Sequence, residues 1–297
     1  MSSQTGASPL VSPQEERRQR HVLRRFMRNR AAVFGLIGFA VIVLVAIAAP
    51  LLATNDPVRQ SLRQALQPPS MTHYLGTDQF GRDIYSRLVF GARISLRVGI
   101  ISVGIALLLG APLGLMAGYF RGAIDSAISR FVDVVLSFPA VLLALAIMAV
   151  LGPSLNNAMI AVGISILPQY IRVTRAATLT VAELDFVSSA RAVGAGSVRI
   201  IARHVLPNVV LPLIVLTSLQ MASAVLFAAS LSFLGLGAQP PTPEWGAMLT
   251  AGRTYMREAW WIPVFPGLSI TLTVLCLNLL GDGLRDALDP RYSSSDA

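Results

Sequence analysis

The sequence contains no lysine. All 24 of its basic residues are arginine, set against 15 acidic residues and 3 histidines. A Walker A loop needs a lysine that reaches the β- and γ-phosphates, and a Schiff-base nucleophile needs one too. Both are excluded, so an ATP-driven activity requires ATP bound on another chain. Cysteine is nearly absent as well. Cys276 stands alone, which excludes an intrachain disulfide and leaves the redox compartment unread. Charge is also scarce: 13% of the 297 residues are charged and 54% hydrophobic, against the ~25% charge usual in soluble domains. A globular chain of this length would lack polar cover. The composition is that of an integral membrane protein, not of a fibrous, disordered or disulfide-rich secreted one. The net charge of +9 does not signal nucleic acid, because the arginines flank apolar runs and form no basic stripe interleaved with aromatics.

A membrane-crossing helix takes ~20 mostly apolar residues. Five charge-free runs read as single spans: 31–53, 98–120, 134–152, 155–171 and 259–281. A sixth run, 205–243, is too long for one span; we place a helix at 209–231 and leave the remainder irregular or re-entrant. Six spans put both termini on one side. Arginine counts choose that side, with 16 arginines falling with the termini and 8 opposite, so both termini are expected in the cytoplasm. A cleaved signal peptide is disfavoured, since the first run is too long and the arm 1–30 precedes it. The expected organisation is a basic arm (1–30), a first span (31–53), an extracytoplasmic loop (54–92), a core of five spans (93–290) with a cytoplasmic loop at 178–207, and a tail (291–297).

Three connecting segments carry most of the information. The outer loop ends in HYLGTDQFGRDIYSRL (73–88). Here Gly76 and Gly81 suit tight turns, Thr77 or Asp78 can cap a following helix, and Asp83 and Arg87 stand at i,i+4 where they can pair. The inner loop between spans four and five predicts two short helices. Asp185 is a candidate cap for the first, Gly194 and Gly196 stop it, Ser197 can cap the second, and Pro207 opens span five. Such a pair can dock into a groove on a partner or lie on lipid. The third segment, 230–246, holds three prolines and three glycines, which forbid a regular helix. Irregular backbone at membrane depth is tolerated only where protein or a water-filled cavity covers it, so Phe233, Leu234, Gly235 and Gly237 form a candidate gate, a plain re-entrant turn being equally compatible.

The inner loop resembles the EAA motif of ABC importer permeases, roughly E-A-A-x3-G-x9-I-x-L-P. Ser188-Ser189-Ala190, Gly194 and His204-x-Leu206-Pro207 hold its spacing. The outer motif Gly76-Thr77-Asp78…Gly81-Arg82-Asp83, the stretch 231–237 and the ending 278–290 are similar to segments of one subgroup, the dipeptide/oligopeptide/nickel permeases, and within it the C-type subunits, which include glutathione importers. The resemblance covers about 17–292. It implies a non-catalytic, type I all-α permease carrying no cofactor or metal. It would pair with a homologous second permease, with two ATP-binding subunits that hold ATP and magnesium, and with an extracytoplasmic binding protein, in the cytoplasmic (inner) membrane of a prokaryote. Import of dipeptides, oligopeptides or glutathione is the implied function, with nickel as the alternative. It also implies that Asp185, Ser188, Ser189, Ala190, Arg191, Gly194, His204, Leu206 and Pro207 couple the permease to the ATPase. The sequence departs from the family where Ser188 replaces the usual glutamate, and Glu183 or Asp185 is a possible substitute.

Other classes fit less well. An ion-coupled carrier needs ionisable residues at mid-membrane, and the six runs hold only amides such as Asn156, Asn157, Gln169, Gln220 and Asn278, which more often join helices. A membrane enzyme would need His21, His73 and His204 to meet, and this topology separates them. No carbonyl-filter sequence marks a channel. Asp133 and the group Asp282, Arg285 and Asp286 are expected to form ion pairs at the membrane edge.

Overall fold

The structure, a computed structural model, describes residues 24–288, and these are helical apart from loops and one isolated bridge between Thr77 and Asp83. The arginines before residue 24 and the tail after 288 lie outside the described residues. The main helices are α1 (Arg30–Ile47), α2 (Ile84–Phe120), α3 (Gly122–Leu136), α4 (Ala140–Leu151), α5 (Leu155–Ala182), α6 (Asp185–Ala192), α7 (Ser197–Phe233), α8 (Trp245–Gly252) and α9 (Trp261–Leu288).

Among the described residues four helices are long and apolar enough to cross a membrane: α1, α2, α7 and α9. The pair α3 and α4, bent by 88° at Ser137–Pro139, makes up to a fifth span, so the expected straight helix over 134–152 is corrected. Pro139 has no N–H to continue the helix, and the residue before a proline is biased out of the α region. α5 has 28 residues, which is length enough, but Asn156, Asn157, Gln169, Arg172 and Arg175 keep it below the apolar level of the others. A count of six spans is therefore not established by length and apolarity.

Helix bounds also differ from the charge-free runs, because a charged residue does not end a helix. α2 begins at Ile84 instead of 98 and carries Arg87, Arg93 and Arg97 inside it. Arg93 stays in place by donating to the carbonyls of Ala46 (3.1 Å) and Ile47 (3.2 Å) where α1 ends. At 37 residues, α2 is about 55 Å long at 1.5 Å per residue, well beyond the ~30 Å of hydrocarbon. α7 starts at Ser197, not 209. It passes through a π-helical turn at Ile201–Val205 just before Pro207. Proline lacks the N–H that would bond four residues back, and the wider turn absorbs that loss.

The centre of the molecule is the parallel pair α2 and α5. Their registers advance together. Ser102 Oγ donates to the Met159 carbonyl at 3.0 Å. A Cβ built on Gly110, Gly114 or Gly118 would lie 2.6, 2.5 or 2.6 Å from the Cβ of Tyr170, Thr174 or Thr178. Three glycines one turn apart thus let the two backbones touch. α7 packs on both helices, and a core from Val98 through Tyr170 to Leu231 fills the junction. α9 runs antiparallel to α7, with Gly281 against Leu219, and to α1, with Gly283 against Ala32. α3 meets α5 through a small apolar cluster of Val132, Ile128, Leu167 and Ile171 flanked by ion pairs. Arg175 grips Asp125 through both carboxylate oxygens, at 2.5 and 2.7 Å, and Arg172 meets Asp133 at 2.8 Å. Among the described residues Asp282, Arg285 and Asp286 form no ion pair, which corrects that part of the expectation.

The seam yields the first prediction. Gly114→Val should leave expression measurable but lower the midpoint of thermal unfolding in mild detergent, corresponding to about 1–3 kcal/mol of overpacking. Gly104→Ala is the control for space, since its backbone is helical and nothing lies within 4 Å of its Cβ position.

Candidate functional site

The residues singled out by sequence fall at the two ends of the helical body. At the outer end, Asp78 closes its own turn: its Oδ1 accepts from the N–H groups of Phe80 and Arg82 (both 2.9 Å), and its Oδ2 accepts from Arg82 Nε at 2.6 Å. The expected helix cap at Thr77 or Asp78 is corrected to Asp83, whose Oδ2 accepts from the Ser86 N–H (2.8 Å) and hydroxyl (2.7 Å). Asp83 Oδ1 takes His73 Nδ1 at 2.9 Å. With the carboxylate thus engaged, the expected Asp83–Arg87 pair is absent. Arg87 instead donates to the carbonyls of Pro57 (2.8 Å) and Pro241 (3.2 Å) and stands 3.7 Å from Asp78. Gly76 and Gly81 take φ of +78° and +70°, and Thr77 donates to the Gln64 carbonyl at 2.5 Å. Trp261 Nε1, at the head of α9, donates to the Thr77 carbonyl at 3.2 Å. His73, Thr77, Asp78, Arg82, Asp83 and Arg87 are all buried. The motif is a charged core that knots the outer loop onto the starts of α2 and α9. A polar cavity of about 330 Å³ beside it is lined by Asp56, Arg59, His73 and Asp83 among others.

The candidate gate is a helix end. Gly235 has φ +80°, its N–H bonds the Ser232 carbonyl (2.9 Å), and Leu236 N–H bonds the Leu231 carbonyl (3.0 Å). This is a Schellman cap, which satisfies the last carbonyls of α7 within the chain itself. Phe233 lies under Arg253 at 5.7 Å, Leu234 is exposed and Gly237 is tucked against Ser232. The chain then returns as α8. Glu244 caps it, accepting from Gly246 and Ala247 N–H (both 2.9 Å), and Trp245 Nε1 donates to the Leu88 carbonyl at 2.9 Å, with its indole against Gly91. Burial raises the Glu244 carboxyl above the usual glutamate value, against the opposing pull of those N–H groups.

At the inner end, α6 stops in a second Schellman cap. Gly194 has φ +83°, its N–H bonds the Arg191 carbonyl (3.0 Å) and Ala195 N–H bonds the Ala190 carbonyl (3.1 Å). Neither Asp185 nor Ser197 caps by side chain: Leu184 and Gly196 occupy those positions, and Asp185 is the first residue of α6. Ser188 Oγ folds back onto the Asp185 carbonyl at 2.8 Å, while Ser189 is exposed and Ala190 half-buried. Glu183 is paired with Arg121 at 2.8 Å. Arg191 lies over the Tyr119 ring at 5.8 Å, and His204 tilts against Phe186 at 6.3 Å. Leu206 and Pro207 continue α7 directly. Val187, Ile200 and Val205 are fully buried anchors. Val193, Gly194 and Gly196 at the tip are exposed.

Sequence reasoning missed Trp245, Trp261 and Glu244. Their signal was present in the tryptophans flanking the outer ends of the apolar runs, and was passed over. Among the described residues no three histidine, cysteine or acidic side chains gather as metal ligands.

A membrane body of packed helices, a knotted outer loop and a projecting inner helix pair define a transport permease. The chain belongs to the binding-protein-dependent transport system inner membrane components, whose model matches residues 110–294. The N-terminal transmembrane domain of oligopeptide transport permease C matches 19–69. The chain is 48% identical to the dipeptide transport system permease protein DppC of Alkalihalophilus pseudofirmus, over 93% of this chain and 90% of that one. It is 46% identical to the glutathione transport system permease protein GsiD of Pectobacterium atrosepticum, over 93% and 92%. Among solved structures it is similar to the inward-facing MetNI methionine ABC transporter, with TM-score 0.56 and 18% identity over 68% of this chain and 97% of that one. That likeness shows the type I importer permease fold.

Two outcomes test the outer end. Asp83→Ala strands a buried imidazole, the Ser86 hydroxyl and the Ser86 N–H in the first turn of α2, and should cost about 3 kcal/mol in thermal unfolding; Asp83→Asn, which keeps one acceptor, should cost less. For Glu244 the folded value is raised, so its stabilising contribution is complete below the ordinary glutamate range and is lost as pH rises through the raised value. Stability should fall across that window, and Glu244→Gln should remove the pH dependence.

Proposed function

We propose that the chain is one permease of an ABC importer that carries peptides, dipeptides or oligopeptides or glutathione, across the cytoplasmic membrane of a prokaryote. The observation that carries this reading is the inner helix pair: it has the motif's spacing, a glycine-shaped tip and buried anchors in the body. The names of the relatives support the peptide class. In this reading a homologous permease completes the pore. Two ATP-binding subunits hold ATP and magnesium and receive the loop at 178–207, and an extracytoplasmic binding protein docks on the outer lobe. The chain itself carries no catalytic group.

Both termini lie in the cytoplasm, and α5 and the bent α3–α4 pair complete six crossings. The arginine bias supports this orientation, and so does helix direction. α2 and α5 run parallel from the outer lobe, and α7 returns antiparallel to α9. The residues 76–83 then brace the outer face, and 233–237 close the outer end of α7. Motion of the tip passes into α5 and α7 as rigid elements, switching the pore between two packings.

The reading is tested by mild-detergent purification with mass spectrometry, together with uptake of a labelled dipeptide. A second permease and Walker-motif ATPases should accompany the chain; a chain that comes out alone would sink the proposal. Gly194→Pro, which forces φ to about −65° where the loop needs a positive value, should insert normally, abolish uptake and leave ATP hydrolysis uncoupled.

A further inference from the structure

The C-terminal half of α5 exposes one face, made of Gln169, Arg172, Ala176 and Thr180. Spacings of three and four residues line them up along the helix. The glycine seam fixes their depth. Gly110, Gly114 and Gly118 stand against Tyr170, Thr174 and Thr178, so Gln169 is level with the middle of the charge-free run 98–120 of α2 and Thr180 with its end. Arg172 is level with residue 112, about 12 Å inside that end at 1.5 Å per residue. Ionised groups at such depth rarely face lipid; they face a bundle interior or a water-filled path. Two ion pairs meet this face, and they differ. Arg175 closes on both oxygens of Asp125. Arg172 gives Asp133 a single bond, from Nη2 to Oδ1 at 2.8 Å, and both side chains stay more than half exposed. The rest of that guanidinium fork and Asp133 Oδ2 have no partner among the described residues. One turn away, Gln169 Oε1 accepts from the buried Gln220 of α7, and the Gln169 NH2 group makes no bond there. A cavity of about 230 Å³ lies between Asp133, Arg172 and Arg175. That is below the ~300–1,000 Å³ of pockets that enclose a whole small ligand, and it suits one charged end of a longer one.

Resting on the permease reading above, we infer that Arg172, Asp133 and Gln169 form a transient binding site for a zwitterionic peptide on the translocation path. Arg172 takes the terminal carboxylate through its fork, Asp133 takes the terminal ammonium, and the Gln169 NH2 group donates to a peptide carbonyl. Without substrate the two charges compensate each other, so neither stands alone at membrane depth. With substrate each exchanges its partner for one of the same charge. Net charge is unchanged, and the cargo is held weakly enough to move on, as conduction through a site requires. A divalent cation would meet one open carboxylate beside two guanidinium groups, which is no ligand set for a metal. The site therefore favours the peptide class over nickel.

The test uses the complete permease–ATPase complex in lipid nanodiscs, with Ala176→Cys as a reporter one turn from Arg172 in a Cys276→Ser background. The thiol at 176 should react with a charged, membrane-impermeant thiosulfonate. Dialanine should slow that labelling about tenfold, the size expected for a charge-assisted contact. Dialanine amidated at its C-terminus or acetylated at its N-terminus should protect weakly. Arg172→Gln should abolish protection, Arg172→Lys should keep part of it, and Asp133→Asn should remove the discrimination against the acetylated peptide. The capped peptides probe the same contacts without a further substitution, so a variant lost to misfolding still leaves the inference open to refutation. Equal protection by free and capped dialanine, no protection by dialanine, or full protection in Arg172→Gln overturns the inference while leaving the permease reading intact. An unreactive thiol at 176 also overturns it and assigns the face to the second permease, and quenching of a label there by nitroxide lipids assigns it to the bilayer. A chain recovered without a second permease and ATPases would instead defeat the permease reading itself.

Discussion

The structure depends on how closely α2 and α5 approach. In lipid there is no hydrophobic force to drive helices together, so association rests on van der Waals contact and interhelical hydrogen bonds. Gly110, Gly114 and Gly118 remove the side chains that would hold the backbones apart, opposite Tyr170, Thr174 and Thr178. Because the two helices run parallel, this one seam joins opposite ends of the molecule. α2 begins in the knotted outer lobe, and α5 ends at the inner loop. A displacement at Glu183 is therefore a displacement of the α2–α5 unit as a whole. Arg121, at the far end of α2, meets Glu183 at 2.8 Å, an exposed pair that adds little to the seam itself.

The same local device finishes a helix at each end of the molecule. Gly194 and Gly235 each adopt positive φ and each closes a helix with a Schellman pair of bonds. At 235 this satisfies carbonyls that lipid would leave unpaired, so the irregular segment needs no water-filled cavity to be stable. At 194 it turns the chain sharply and leaves the tip without tertiary support. The outer lobe solves a harder problem, since it buries Asp78, Arg82, Asp83 and Arg87 together. Arginine suits this task. Arg87 reaches two backbone carbonyls from different loops while facing Asp78, which a lysine ammonium, a single point of charge, could not arrange in the same geometry.

Much of this was legible in the sequence, for a physical reason. Long apolar runs, arginine asymmetry, and glycines at 194 and 235 act through local rules, so membrane insertion, an inner helix pair ending at Gly194 and the irregularity after Phe233 could all be read. What failed was non-local. Asp83 and Arg87 stand at helical spacing and should pair, but His73 and Ser86 compete for the carboxylate, and the Pro57 and Pro241 carbonyls compete for the guanidinium. Charge-free runs underestimated α2, α5 and α7, because helix ends are set by backbone partners and caps, not by the first arginine. The 88° bend at Pro139 was visible as a proline in a run read as continuous. The outer tryptophans needed tertiary contacts to acquire meaning, since a donor indole is informative only once its acceptor is known.

α3 stands apart from the rest in how it is attached. The α2–α5 seam is close contact between backbones, whereas α3 meets α5 through one small apolar cluster around Val132 and through Arg175–Asp125 and Arg172–Asp133 beside a cavity of about 230 Å³. The Arg172–Asp133 side chains are 58% and 67% exposed, so that pair contributes little when wetted. Close packing resists gradual deformation, but an ion pair can break and re-form at modest cost. Elements with few buried apolar contacts also sit at the low-stability end of a fold. The glycine seam is thus the closely packed part of the fold, and α3, set off by the bend at Pro139, is the more loosely tied part.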